Sequence, residues 1–142
     1  MATVVFYEKP GCINNTKQKE LLRRAGHTVV ERDLLDHPWT ADELRPFFAG
    51  LTTVEQWFNP AAPRIKSGEV DPTTADADHA MAMMLTDPYL IRRPLMQAGS
   101  VRMAGFDQYA VHAWIGLWNN PPDTREDLQS CPRMATGNGT CD

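Results

Sequence analysis

Short apolar runs and helix-like segments alternate at the start of the chain. Residues 3–7 are rich in Val and aromatic side chains and end close to Pro-Gly, as is typical of a buried strand. Residues 16–25 have few apolar positions and many basic ones, which predicts a largely exposed helix capped by Asn14 or Asn15. Residues 27–33 then predict a second strand, so the chain begins with a right-handed βαβ unit.

The central part of the chain has a helical pattern interrupted by prolines. Thr40–Glu43 and Thr53–Gln56 both have the sequence of a capping box, which marks the start of a helix. Residues 59–72 contain three prolines and predict a loop. Thr73 or Thr74 is expected to cap a further helix over residues 75–85, whose inner side would carry Ala80, Met81, Met84 and Leu85 as core-filling residues.

The last structured part predicts a hairpin and a helix. Residues 97–100 have the composition of a turn, and residues 101–104 form the returning strand. Asp107 is expected to cap a final helix. The residues expected on its inner side are Ala110, Val111, Trp114 and Ile115.

The order of elements predicts an α/β (α+β) fold. A βαβ unit, a helical block and a ββα unit form a four-stranded mixed sheet, in the order of the thioredoxin-like fold, with a helical insertion over about residues 40–85. We predict one domain over residues 1–117. The polar, Pro/Gly-rich residues 118–142 are predicted to be a flexible C-terminal tail.

Composition and charge exclude several classes of protein. The formal net charge of −4 over 142 residues argues against a nucleic-acid binder, which would show a basic face. No apolar run approaches the ~20 residues that span a bilayer, so we expect no membrane segment. The first residues lack the basic and apolar regions of a signal peptide. We therefore expect a cytoplasmic protein.

The three cysteines, Cys12, Cys131 and Cys141, are widely spaced. They form no Cys-x-x-Cys pair and no zinc-like cluster with histidines, so we expect no bound metal or cofactor. Cys12 follows a strand and Pro-Gly and precedes a helix. Unpaired N–H groups and the positive end of the dipole at a helix N-terminus favour a thiolate, the nucleophilic form of cysteine. The alternative is a buried, inert cysteine.

Two motifs resemble a known family. Phe6-Tyr-x-x-Pro10-x-Cys12 and Pro88-Tyr-Leu-Ile-Arg-Arg-Pro-Leu95, with the helical block between them, resemble the arsenate reductase (ArsC/Spx) family over about residues 3–117. Four segments further resemble its nitrogenase-associated branch, which implies a link to nitrogen fixation. These segments are residues 8–19, 57–59, 63–68 and 90–94.

The resemblance implies a site and a mechanism. In reductases of this family a cysteine attacks an arsenate oxyanion, three arginines hold the anion, and glutathione with glutaredoxin regenerates the thiol. Carried over by motif, Cys12 is the nucleophile and Arg93 binds the anion, with Arg64, Arg102 and Lys17 as further candidates. Because thioredoxin-like folds place a cis-proline beside the active cysteine, the resemblance also predicts a cis Arg93–Pro94 bond.

Three departures from the family pattern bear on this mechanism. Glu8 stands where the reductases have a histidine, and its carboxylate is expected to oppose both a thiolate and an anion. Residues 13–17 replace a Gly-Thr-Ser-Arg-Asn run, so an arginine is lost. Asn15 stands where the redox regulators of the family have a second cysteine.

Several functions stay open at this point. The chain is either a thiol oxidoreductase with glutaredoxin or thioredoxin as partner, or a non-catalytic module. Such a module would bind an oxyanion or a nitrogen-fixation or molybdenum-metabolism protein. A redox-sensing regulator is the third class. Cys131 or Cys141 could supply the thiol that resolves an adduct on Cys12, or glutathione could serve as an external co-substrate. For Arg93 and its neighbour Arg92, surface salt bridges are the alternative to anion binding.

Overall fold

A computed structural model describes residues 1–118, and four strands in them form one mixed sheet. The strands are β1 (Thr3–Glu8), β2 (Thr28–Asp33), β3 (Leu95–Ala98) and β4 (Val101–Ala104), in the spatial order β2-β1-β3-β4. β1 is parallel to β2 and antiparallel to β3, and β3 is antiparallel to β4. The α-helices are α1 (Ile13–Arg24), α2 (Ala41–Leu44), α3 (Pro63–Lys66), α4 (Ala77–Thr86) and α5 (Gln108–Ile115). Short 3-10 helices cover Arg45–Phe48, Val54–Trp57 and Pro88–Leu90.

Two hydrophobic cores lie on the two faces of this sheet, because successive side chains of a strand point to opposite faces. Val4 and Phe6 of β1 pack with Leu22 of α1 and Val111 of α5. Tyr7 of β1 instead belongs to the core formed by the helical insertion. This second core is rich in aromatic rings, which are those of Tyr7, Trp39, Phe47, Phe48, Trp57 and Phe58.

Backbone hydrogen bonds tie the insertion to the segment before β3. Phe58 and Ile91 form an isolated antiparallel bridge. The N–H of Arg92 donates to the carbonyl of Trp57 at 2.9 Å, and the N–H of Asn59 donates to that of Leu90 at 2.8 Å. The insertion therefore fixes the backbone that carries Arg92 and Arg93.

The predicted fold class is confirmed, as are the parallel βαβ unit and the hairpin. The predicted start of the first helix is wrong. α1 begins at Ile13, and Cys12 occupies the N-cap position that the sequence had suggested for Asn14 or Asn15. Both asparagines are buried inside the helix. The sequence misleads here because polar residues occupy the buried side of the first two turns.

The boundaries in the insertion also differ from the predictions. Asp76, rather than Thr73 or Thr74, caps α4 by accepting a hydrogen bond from the N–H of His79. The segment predicted as a loop contains α3, which begins at Pro63, where a missing N–H costs nothing.

Fewer residues than predicted are buried on the inner sides of α4 and α5. Met81 and Met84 fill the core as expected, whereas Leu85 is 37% exposed. Asp107 caps α5 as predicted, and Val111 is buried, but Ala110 lies on the exposed side.

The described part of the chain ends close to α5. Leu117 is buried, and the ring of Trp118 stacks on that of His112 with 4.7 Å between centroids. Residues 119–142, with Cys131 and Cys141, lie outside the described residues, so the predicted tail stays a prediction. Within residues 1–118, no helix is long and apolar enough to cross a membrane.

Candidate functional site

A tight turn places Cys12 at the N-terminus of α1. The N–H of Cys12 donates to the carbonyl of Lys9 at 3.1 Å, with Pro10 and Gly11 at the two central positions. Gly11 has φ = +84°, so the sequence Pro-Gly suits a type II turn. The carbonyl of Cys12 accepts from the N–H of Thr16 at 3.0 Å, which is the first hydrogen bond of the helix. The cysteine is 4% exposed.

Asn15 fixes this turn from within the helix. Its Oδ1 accepts a hydrogen bond from the backbone N–H of Lys9 at 3.2 Å. Its Nδ2 donates to Oε1 of Gln18 at 2.9 Å, and the whole group is buried. Asn15 stands at the position where the redox regulators of the resembled family have a second cysteine. In this chain its side-chain amide instead positions the turn that carries Cys12.

Arg93 lies against Cys12 from the segment before β3. The Arg93–Pro94 peptide bond is cis, as predicted. Burial lowers the pKa of Arg93, and the charge of Cys12 and a hydrogen bond with its thiol oppose part of that effect. The Nη1 atom of Arg93 is shielded from solvent and has no hydrogen-bond partner among residues 1–118. A buried guanidinium with an unused donor is costly, so this site is suited to an anion that takes the donor.

Glu8 does not act as an isolated carboxylate next to Cys12. Nζ of Lys19 contacts both oxygens of Glu8, at 2.9 and 3.0 Å, and also binds the carboxylate of Glu31. Burial raises the pKa of Glu8 despite this pairing. Burial also opposes the charged form of Lys19, but hydrogen bonds to Glu31 and Glu8 outweigh it and raise the pKa of Lys19. The positive charge of Lys19 therefore offsets the repulsion that the Glu8 carboxylate would exert on a nearby anion.

Two of the other predicted anion-binding residues, Arg64 and Arg102, contact groups other than Cys12. Arg64 binds Glu69 at 2.6 Å and Asp87 at 3.3 Å. The guanidinium of Arg102 lies over the ring of Phe47, 5.9 Å from its centroid. Lys17 is exposed on α1. Their roles in anion binding stay predictions.

Sequence reasoning did not single out Tyr89, which interacts electrostatically with Arg93. This interaction opposes part of the lowering of the Arg93 pKa that burial causes. The backbone N–H of Tyr89 donates to Oδ1 of Asp87, whose Oδ2 accepts from Arg64. Arg64 thus supports the turn that carries Tyr89. The position of Tyr89 in the same motif as Arg93 was the available signal. Within residues 1–118, no three potential metal ligands come together.

Solved structures of ArsC-family proteins share this fold. An ArsC-family related protein from Bacteroides fragilis superposes with a TM-score of 0.67 at 23% identity, covering 78% of this chain and 95% of its own. An arsenate reductase from Vibrio cholerae gives a TM-score of 0.65 at 19% identity, with 82% and 98% covered. The chain therefore has the thioredoxin-like fold of the ArsC-family arsenate reductases.

A sequence relative defines the family more narrowly. The uncharacterized 15.7 kDa protein in the draG 3′ region of Rhodospirillum rubrum is 53% identical over 136 residues, which cover 96% of this chain and 92% of the relative. The chain belongs to the family of this Rhodospirillum protein. No family model matches the chain.

Proposed function

We propose that this protein is a thiol oxidoreductase of the arsenate-reductase type, with Cys12 as nucleophile and Arg93 as the group that binds an oxyanion. The observation that carries the proposal is the unused, buried Nη1 of Arg93 beside the Cys12 thiol. A guanidinium binds a tetrahedral oxyanion through two N–H groups, and the helix N-terminus adds further positive potential.

The proposed reaction needs two thiols besides Cys12. The Cys12 thiolate attacks arsenic(V), a sulfur–arsenic bond forms, and water leaves. A first glutathione thiol then attacks the Cys12 sulfur, which gives a mixed disulfide and arsenite, so two electrons pass from sulfur to arsenic. A second thiol, from glutaredoxin or glutathione, reduces the mixed disulfide and regenerates Cys12.

The physiological setting is proposed from the relative. Its name places it next to draG, and together with the branch motifs this supports a role linked to nitrogen fixation, in the cytoplasm. Glutathione is the proposed co-substrate, and glutaredoxin or thioredoxin the proposed partner. Molybdate, another tetrahedral oxyanion, is a natural candidate ligand for the same guanidinium.

A second function, a non-catalytic module that binds an oxyanion or a nitrogen-fixation protein, rests on two observations. Cys12 is only 4% exposed, so little of its side chain is accessible to a reactant. Among residues 1–118, Arg64 is held by Glu69 and Asp87, whereas Arg93 contacts Cys12.

Turnover separates the two functions. Arsenate is supplied with glutathione, glutaredoxin, glutathione reductase and NADPH, and oxidation of NADPH is followed. The proposal predicts turnover by the wild-type protein, none by Cys12→Ser, and a loss of at least tenfold in kcat/KM for Arg93→Lys, which keeps the charge but loses the fork. An exposed matched variant, Lys66→Met, should leave the rate unchanged.

Absence of turnover would contradict the reductase proposal. If NADPH oxidation is absent although arsenate or molybdate protects Cys12 from alkylation, the reductase proposal is wrong and the binding module is supported. If these anions give no protection either, Arg93 is not their binding site.

A further inference from the structure

Arg93 follows a short turn, and hydrogen bonds fix the backbone of that turn. The N–H of Leu90 donates to the carbonyl of Asp87 at 3.1 Å. This bond belongs to the 3-10 helix Pro88–Leu90, which we call the Tyr89 turn. Leu90 is 0% exposed, and an unpaired backbone group is costly in such a place. The conformation of the Tyr89 turn therefore determines where the chain continues towards Arg93.

The side chain of Asp87 holds the start of the Tyr89 turn. Its Oδ1 accepts a hydrogen bond from the backbone N–H of Tyr89 at 3.2 Å, which makes Asp87 the N-cap of the turn. Its Oδ2 accepts from Nη1 of Arg64 at 3.3 Å. The backbone N–H of Asp87 donates to the carbonyl of Met83 in α4 at 2.9 Å. Asp87 therefore joins the turn to both α3 and α4.

Asn59 holds the same turn from the insertion. Its Nδ2 donates to the carbonyl of Tyr89 at 3.4 Å, and its backbone N–H donates to the carbonyl of Leu90 at 2.8 Å. Its Oδ1 accepts from the N–H of Ala61 at 3.0 Å, which fixes the orientation of the amide. Asn59 is 7% exposed. The N–H and the carbonyl of Tyr89 are therefore bound by two different side chains, those of Asp87 and Asn59.

Backbone pairing connects this turn to Arg93. After the turn, the chain pairs with residues 57–59 of the insertion. There the N–H of Arg92 donates to the carbonyl of Trp57 at 2.9 Å. Arg93 follows directly, and its guanidinium contacts Cys12. Because the turn and the paired residues form one continuous hydrogen-bonded segment, a turn released at its start would shift Arg93 relative to the thiol.

We propose that Asp87 and Asn59 are positioning residues for Arg93. They hold its guanidinium beside the Cys12 thiol by fixing the backbone of Tyr89, and neither of them contacts the anion. This inference rests on the proposed function, in which Arg93 binds the oxyanion, and it adds the residues that keep Arg93 in place.

The main test compares two substitutions of equal charge. Asp87→Asn keeps an oxygen that accepts from the N–H of Tyr89, whereas Asp87→Ala keeps none. Two measurements report the position of Arg93, which are the NMR shift of its Nε–H group in 15N-labelled protein and the ratio of the rates at which iodoacetate and iodoacetamide alkylate Cys12. Only iodoacetate is attracted by the guanidinium. We expect a ratio about threefold lower in Asp87→Ala than in Asp87→Asn, because part of a charged hydrogen bond is lost, and a shifted Nε–H resonance.

Asn59→Ala removes the second contact and should lower the ratio by about threefold relative to wild type for the same reason. Thr40→Ala is the control for a loss of stability alone. The Thr40 hydroxyl caps α2 by accepting from the N–H of Glu43 at 3.2 Å, so its removal also destabilises the protein without changing its charge. Thr40→Ala should leave both the ratio and the Arg93 resonance unchanged.

Two results would overturn the proposal. One is an equal ratio and an equal Arg93 Nε–H shift in Asp87→Ala and Asp87→Asn, with Asn59→Ala at the wild-type values. The other is a fall of the same size in Thr40→Ala, which would attribute the effect to stability alone.

Arg93→Met, measured in parallel, separates this inference from the proposed function. A lower ratio in Arg93→Met, with no change in the variants of Asp87 and Asn59, contradicts only the positioning role. An unchanged ratio in Arg93→Met contradicts anion binding at Arg93, and the Nε–H shift of Arg93 in the other variants then decides the positioning role by itself.

Discussion

Two charged clusters lie at the same end of β1, and they differ in how their charges are satisfied. In the first, Lys19 binds Glu8 and Glu31, and Arg23 contacts Glu31 at 3.4 Å, so two cations face two carboxylates. In the second, Arg93 lies beside Cys12, and its Nη1 has no partner among residues 1–118.

The difference separates a structural cluster from a candidate functional one. In a buried ion pair whose members hydrogen-bond to each other, each charge has its partner within the protein. A buried guanidinium nitrogen without a partner keeps its desolvation cost until something binds it. The charges of Glu8 and Lys19 therefore stabilise the fold near Cys12, whereas Arg93 keeps a donor that the proposed oxyanion would use.

Removing the cation from the structural cluster should have the largest effect on stability. Lys19→Met leaves the buried carboxylate of Glu8 without its ammonium partner. Breaking one side of a buried pair typically costs ~3–5 kcal/mol in the free energy of unfolding. Urea denaturation would measure the loss. The double variant Glu8→Gln/Lys19→Met removes both charges and should recover most of it, and a double variant as unstable as Lys19→Met would contradict the pairing.

The stability of Lys19→Met should also depend on pH. Without Lys19, burial alone acts on Glu8 and raises its pKa further above that of the unfolded chain. An acid with a raised pKa in the folded state binds protons more tightly there, so folding becomes less favourable as pH rises from its unfolded to its folded pKa. The deficit of Lys19→Met relative to wild type should therefore shrink when the pH is lowered from 7 to about 4.5. A deficit independent of pH would show that Glu8 is not its source.

The turn that carries Cys12 is the next test, with a smaller expected effect. Asn15→Ala removes two buried hydrogen bonds, the one that Asn15 accepts from the N–H of Lys9 and the one that it donates to Gln18. Such a change typically costs about 1–3 kcal/mol. Denaturation should show this loss, and the rate of Cys12 alkylation by iodoacetamide should rise because the turn is no longer fixed. Lys17→Ala, on the exposed side of the same helix, serves as the control and should stay within ~0.5 kcal/mol of wild type.

The outer carboxylate of the structural cluster should matter least. Lys19 lowers the pKa of Glu31 through a hydrogen bond, but the Glu31 side chain is 49% exposed, and solvent screens the pair. Glu31→Gln should cost below ~1 kcal/mol at pH 7. Because the folded-state pKa is depressed, this contribution is present above the unfolded pKa and is lost as pH falls through the folded one. Wild type and Glu31→Gln should thus converge in acid, and a gap that widens there would contradict the pairing.

The elements of the candidate site that depend on local sequence could be predicted. Residues 3–7 have a strand pattern, and Pro10-Gly11 has the chemistry of the turn before Cys12. The motif around Arg93 predicted both its place beside Cys12 and the cis peptide bond. These features need only neighbouring residues or a motif, and the structure confirms them.

What could not be predicted depends on which polar residues are buried. Asn15, Gln18 and Lys19 occupy the inner side of α1, and polar residues at buried positions hide both the inner side of the helix and its start from sequence patterns. Lys19 pairs with Glu8, which lies eleven positions earlier in the sequence. This pairing can be inferred only when the start of the helix at Ile13 is known. Likewise, one of the two partners of Arg64, Asp87, is distant in the chain, so this contact could not be predicted from neighbouring residues.

Two alkylating reagents test whether Arg93 presents an unused donor to anions at Cys12. Iodoacetate and iodoacetamide both react with the thiolate, so differences in the exposure and ionisation of Cys12 cancel in the ratio of their rates. Because only iodoacetate is an anion, this ratio measures how strongly the site attracts a negative charge. We predict that Arg93→Met lowers the iodoacetate-to-iodoacetamide ratio about tenfold, the equivalent of ~1.4 kcal/mol for a charged hydrogen bond. Arg93→Lys should give an intermediate ratio, and Arg64→Met, whose guanidinium is held elsewhere, should leave it unchanged. An unchanged ratio in a folded Arg93→Met protein would contradict the account.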